Sequence, residues 1–305
     1  MNLRLILKLA AVAGILTAIS LWMGQVAYSW LPPPASAEAV LVDGLFSLMT
    51  AIGTFIFCGV VGTVIYSALF QRAGKYDESD GPPIEGNLTL EVVWTAIPIV
   101  LVIWIAAASY RVYDQMSILG PMEHIHMGMG EAIAAPMDMA QGMPETAGLE
   151  PEAIEVHARQ WVWEFYYPEA NVTSTELHLP KDRRIKLALT SEDVLHGFYI
   201  PAFRVKQDVI PGRDIDFEFT PILEGKYRLR DSQYSGTYFA AMQADVVVES
   251  PDAYQQWLAT AAKSPLKPGL NPSYDEYQRT GGDDHRPGWK TVPPAPAPMV
   301  NYVGS

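Results

Sequence analysis

Few residues in this chain of 305 can do chemistry, and their surroundings narrow what chemistry that is. Glu91 opens an uncharged apolar run beginning at Val92. A carboxylate at the mouth of a membrane helix is suited to passing protons, and it also suits the positive N-terminal end of a helix. Met116, Met122, Met127, Met129, Met137, Met139 and Met143 crowd one segment with His124 and His126. Thioether and imidazole groups are soft ligands for Cu(I), so Met122, His124, His126, Met127 and Met129 form a candidate copper-binding stretch. The blander reading is an adaptable apolar linker against a partner. The single cysteine, Cys58, lies inside an apolar run. An intrachain disulfide is excluded, and no thiolate metal centre can form outside the membrane.

The elements that must position these residues follow from hydropathy. Leu9–Leu31, Gly44–Phe70 and Val92–Ser109 are uncharged and long enough to cross a bilayer as helices. Arg4 and Lys8 precede the first run, and Arg72 and Lys75 lie between the second and third. The positive-inside rule therefore puts the N-terminus and the 71–89 loop in the cytoplasm, and everything after about residue 114 outside. Ala35-Ser36-Ala37 has the small-residue form of a leader-peptidase site. Against it stand the length of the first run and its end at Pro32-Pro33-Pro34, which favour a retained anchor. The net charge of −13 argues against a nucleic-acid partner.

Residues 114–152 read as a Met-rich linker. From Ile154 the pattern becomes β: Ile154–Tyr167, Arg184–Thr190, Asp214–Thr220, Lys226–Arg230 and Ala244–Glu249 are short β-rich runs between Pro and Gly punctuation. Strands at this spacing predict a small sandwich or barrel. Pro251–Ala262 predicts a helix capped by Ser250, and the Pro- and Gly-rich tail from Ser264 reads as extended. The fold class is thus a membrane-anchored all-β protein. It has segments 1–37 (anchor or leader), 38–113 (helical hairpin), 114–152 (linker), 153–250 (β-domain) and 251–305 (helix and tail).

Several strings resemble subunit II of the haem–copper terminal oxidases. They are Leu90-Glu91-x-x-Trp94-Thr95-x-Ile97-Pro98, Gln160-Trp161-x-Trp163, and Asp193-Val194-Leu195-His196-x-Phe198-x-Ile200-Pro201 followed by Asp208-x-x-Pro211-Gly212. The resemblance covers roughly residues 40–250, and the Asp80–Asn87 loop is most similar to cyanobacterial members. It implies a cupredoxin-like β-sandwich and a proton-entry role for Glu91. Asp231–Met242, DSQYSGTYFAAM, stands where that family has the dinuclear copper loop C-x-E-x-C-x3-H-x2-M. Asp231 and Ser235 occupy the cysteine positions, Phe239 the histidine position and Gln233 the glutamate position; His196 and Met242 alone match in side chain.

The resemblance then implies an oxidase subunit II without the dinuclear copper, in the quinol-oxidising branch, where electrons arrive within the membrane. The complex would reduce oxygen to water and move protons. This chain would bind no cofactor, with the haems and the oxygen-reducing copper in subunit I. Expected partners are subunits I and III, membrane lipid and quinol. The expected location is the bacterial cytoplasmic membrane, or the thylakoid, with the β-domain on the periplasmic or lumenal side. His196 and Met242 are expected as a hydrogen-bonded histidine and a packing methionine; a zinc-type pairing of His196 with Asp231 is the alternative. Trp161 and Trp163 are expected to pack on one strand face. Two competing functions are an oxidase fed by a soluble donor directly at subunit I, and an anchored copper-handling or assembly protein.

Overall fold

The computed structural model describes residues 3–72, 74, 76, 86–116, 150–279 and 292–304. Most of the Met-rich linker, with Met122, His124, His126, Met127 and Met129, lies outside the described residues. The chain divides into two compact units, residues 1–31 with 42–115, and residues 32–41 with 116–305.

The first unit is built from three helices long and apolar enough to span a membrane: α1 (Leu3–Ala27), α2 (Ala37–Phe70) and α3 (Leu88–Met116). Their apolar side chains face outward nearly all round, as a lipid environment allows. Helix α3 starts on Asn87, whose side-chain oxygen accepts from Leu90 N at 3.2 Å, and Glu91 falls in its first turn.

The second unit is a sandwich of two five-stranded sheets. In chain order its strands are β1 (Glu152–Arg159), β2 (Val162–Tyr167), β3 (Val172–Ser174), β4 (Leu177–Pro180), β5 (Ile185–Ser191), β6 (His196–Ile200), β7 (Val205–Val209), β8 (Ile215–Phe219), β9 (Gly225–Asp231) and β10 (Gln243–Glu249). One sheet runs β3-β2-β1-β5-β8 and the other β4-β10-β9-β6-β7. Strands β1 and β5 pair parallel, as do β4 and β10; the remaining pairs are antiparallel. Alternation drives the layering. In β1 and β5 every second residue is buried, so Ile154, Val156, Leu187 and Leu189 face Phe198, Leu229 and Val246 of the other sheet.

Two sequence expectations need correction in detail. Ile154–Tyr167 is a hairpin of two strands, closing with Arg159 opposite Val162 around Gln160-Trp161. The tail from Ser264 is not simply extended. After α4 (Pro251–Ala261), capped by Ser250, come β11 (Lys267–Pro268), α5 (Pro272–Arg279) and β12 (Met299–Val300), with β11 and β12 paired. Asn271 starts α5 by accepting from Ser273 N at 3.1 Å and Tyr274 N at 3.3 Å, with Pro272 at the first helical position. The tail also ties to the sandwich: Asn301 N donates to Thr173 O at 2.9 Å and Ala295 N to Gln160 O at 2.5 Å.

Candidate functional site

Strands β6 and β9 lie side by side, with Phe198 opposite Asp231. This register brings the first residue of β6, His196, against the last residue of β9. His196 Nδ1 lies 2.9 Å from Asp231 Oδ2, and both side chains are fully buried. On the opposite side of the ring, Nε2 lies 3.0 Å from Asp193 Oδ1. Two carboxylates accept from one imidazole, and only the protonated ring has two N–H donors to offer.

Asp231 is saturated with donors. Besides His196, its carboxylate accepts from Gly197 N at 2.7 Å, Gln233 N at 3.0 Å and Ser235 Oγ at 2.7 Å. Asp193 likewise accepts from Gln160 N at 2.7 Å and Val194 N at 2.7 Å. Burial pushes the His196 imidazole down, but the hydrogen bonds to Asp193 and Asp231 outweigh it and the net shift is up. Burial likewise pushes Asp193 and Asp231 up, and hydrogen bonds from His196 and the backbone bring both below the ordinary aspartate value. Gly197 is needed for this approach, because a Cβ there would collide with Ser232 Oγ and sit 3.0 Å from Gln233 N.

The rest of the 231–242 loop closes over the aromatic hairpin. Ser235 O accepts from Trp161 Nε1 at 3.1 Å and Gln160 Nε2 at 2.6 Å. Met242 is buried, and its carbonyl accepts from Asp231 N at 3.0 Å and Trp163 Nε1 at 3.4 Å. Gln233 turns outward to Asp208 at 2.9 Å. Phe239 is half-buried and packs edge-on against the exposed Tyr234. Trp161 stacks edge-on to Tyr238, and Trp163 to Phe198 and His196.

The side chains of His196, Asp231 and Ser235 thus come together and Met242 joins through its carbonyl, while the side chains of Gln233 and Phe239 turn to other partners. Asp193 is the participant that sequence reasoning quoted in a motif but gave no role; a carboxylate three residues before a histidine is the signal that could have found it. His196 and Asp231 meet as a hydrogen-bonded pair. Among the described residues, no group of three or more His, Cys, Asp or Glu is arranged to hold a metal ion. Glu91 belongs to the helical unit, exposed, with its N–H donating to Asn87 O at 3.0 Å.

Two family models match the chain: the transmembrane domain of cytochrome c oxidase subunit II over residues 20–112, and its periplasmic domain over residues 172–250. Subunit 2 of cytochrome c oxidase from a Synechocystis species is 39% identical over 83% of this chain and 82% of its own length. The protein of the same description from Thermostichus vulcanus is 34% identical over 84% of this chain and 86% of its own. Quinol oxidase subunit 2 from Bacillus subtilis is 26% identical over 74% of this chain and 63% of its own. With three span-length helices, a two-sheet sandwich and matches to both domain models, the chain belongs to the cytochrome c oxidase subunit II family.

Proposed function

We propose that this chain is subunit II of a quinol-oxidising member of that family, with no dinuclear copper of its own. The observation that carries the reading is the His196–Asp231–Ser235 cluster. Its side-chain ligand atoms are one imidazole, one carboxylate and one hydroxyl. This set does not fit a thiolate-bridged copper pair, because soft copper centres take thiolates and Cys58 lies in α2. Both nitrogens of His196 lie within hydrogen-bond distance of carboxylates, on opposite sides of the ring.

Electrons in such a complex come from a lipid-soluble quinol and enter subunit I within the bilayer. Two quinols supply the four electrons that reduce one oxygen molecule to two waters, and the haems and copper of subunit I carry that chemistry. This chain contributes position and proton access. Its β-domain sits on the periplasmic or lumenal side, and Glu91, in the first turn of α3, takes up protons at the cytoplasmic face. Its partners are subunits I and III, in the cytoplasmic or thylakoid membrane. The Bacillus relatives named quinol oxidase subunit 2 support this reading.

The two cyanobacterial relatives named for cytochrome c favour a second reading, an oxidase whose soluble donor reaches subunit I directly. Oxygen uptake by the purified complex separates the two. Quinol-driven uptake with no activity on reduced cytochrome c is expected. Uptake driven only by cytochrome c would overturn the proposal, and so would copper bound stoichiometrically to the isolated subunit.

A further inference from the structure

Ala35-Ser36-Ala37 has the form of a processing site, yet its atoms are part of the β-domain. Ala35 N donates to Ala202 O at 3.0 Å, and Ala35 O accepts from Ile222 N at 2.9 Å. Ser36 Oγ donates to Phe203 O at 2.9 Å and accepts from Ala39 N at 3.0 Å, which caps the start of α2. Ala37 N donates to Thr220 O at 2.9 Å. All three residues are buried, and Ala35 belongs to the apolar core of the sandwich.

The next residue makes the case stronger. The Glu38 side chain is fully buried, accepting from Arg184 Nη1 at 2.7 Å and Thr220 N at 3.1 Å. Arg184 also reaches Glu218 at 3.1 Å and the carbonyl of Met116 at 3.3 Å. Hydrolysis after Ala37 adds water across the Ala37–Glu38 peptide bond. It would remove the helix cap with the backbone pairs of 35–37, and place an ammonium at the first turn of α2, where the positive end of the helix dipole already lies.

The helical unit supplies an independent observation. Ser20, Gly24 and Ala27 are the buried residues of α1, and their spacing puts them on one helical face. A Cβ at Gly24 would lie 3.0 Å from Ser47 O and 3.1 Å from Ala51 Cβ, so α1 and α2 touch backbone to backbone there. Ser47 Oγ donates to Gly24 O at 2.8 Å across this contact. Small residues with an interhelical hydrogen bond are how helices pair in lipid. A leader is recognised by its apolar length and cleavage site, and needs no fitted face.

We infer that α1 is retained in the mature protein as a third membrane-crossing helix. Ala35-Ser36-Ala37 then serves as a strand-and-cap joint of the β-domain and is not a processing site. The inference concerns the chain's own maturation and holds whichever donor feeds the complex.

The test is the intact mass and N-terminal sequence of the subunit purified from membranes in its complex. A mass that includes residues 1–37 is expected, and a chain beginning at Glu38 overturns the inference. A Gly24→Leu variant gives the second reading. It keeps an apolar leader apolar but wedges α1 from α2, so a several-fold loss of subunit from the membrane is expected. Wild-type recovery of that variant would overturn the fitted role of α1.

Discussion

Replacing Asp231 by Asn isolates the charge of the buried cluster while keeping its shape. The carboxylate accepts four hydrogen bonds, two at each oxygen: Gly197 N and Gln233 N at Oδ1, His196 Nδ1 and Ser235 Oγ at Oδ2. In the variant the amide oxygen keeps the two backbone donors, and the amide nitrogen faces His196 and Ser235. Donor then meets donor, so His196 must give up its Nδ1 proton and sit neutral, donating only to Asp193. Removing one partner of a buried ion pair costs about 3–5 kcal/mol, and the retained backbone contacts place this case near 3 kcal/mol. The pH dependence is the sharper signature. The folded value of His196 is raised above its ordinary 6.5, so its stabilisation is complete below 6.5 and is lost as pH rises through the folded value. Asp193 and Asp231 are lowered from 3.8, so theirs is present above 3.8 and lost as pH falls through the folded values. The wild-type advantage is therefore largest between these limits and narrows toward alkaline pH. Urea unfolding of the detergent-solubilised chain reads this out through tryptophan fluorescence, since the Trp163 ring lies 6.1 Å from His196. A gap that is absent, or constant from pH 5 to 9, would refute the ionised-pair reasoning.

Three further outcomes are expected. Glu91→Gln should slow oxygen turnover while haem content and subunit recovery stay at wild-type levels; unchanged turnover would remove Glu91 from the proton path. Gly236→Ala should destabilise the β-domain by about 1–3 kcal/mol in the same urea assay. Gly236 holds φ +121°, and a Cβ would lie 2.8 Å from the Trp161 ring, so a neutral result would mean that the loop has room to shift. Arg184→Ala should cost about 3–5 kcal/mol, because it strands the fully buried carboxylate of Glu38; a loss below about 1 kcal/mol would mean that Glu38 is neutral or hydrated.

The hydropathy of the chain made the three helices legible, because an apolar run needs no tertiary information to identify it. The alternating strands β5 and β8 were legible because each buries one face, whereas β1 and β2 were read as one segment. Strands β3, β4, β6 and β7 were not among the β-rich runs; β4 is buried on both faces and has no alternation to read. Helix α5 was hidden in a segment whose composition suggested extension, although Asn271-Pro272 is a start signal in plain view. The cluster was half legible. Asp231, Ser235 and His196 stood out by position, whereas Asp193, on a turn before β6, was marked only by its spacing three residues before the histidine. The sequence does not reveal that Glu38 and Arg184 meet across 146 positions of chain.

A metal at this place would tie the 231–242 loop to β6 by short bonds to several side chains at once. The ionic cluster performs the same joining with hydrogen bonds. One imidazolium spans the 193–196 turn and the end of β9, and Ser235 draws the loop onto Asp231. The bonds close because the donors and acceptors balance. Two carboxylates and one imidazolium leave a net charge of −1, and four backbone N–H groups, of Gln160, Val194, Gly197 and Gln233, point at the carboxylates to offset it. Three of those four lie in turns or loops, where an N–H is free of the sheet ladder, and the fourth, Gly197, is the residue whose missing side chain lets the loop approach. A sandwich core of fixed register can therefore keep this corner folded without thiolates, provided that the histidine carries its proton. The arrangement holds the loop in place through groups that cannot change oxidation state. Under the proposed function, that is the division of labour expected of a subunit that supports electron flow without carrying it.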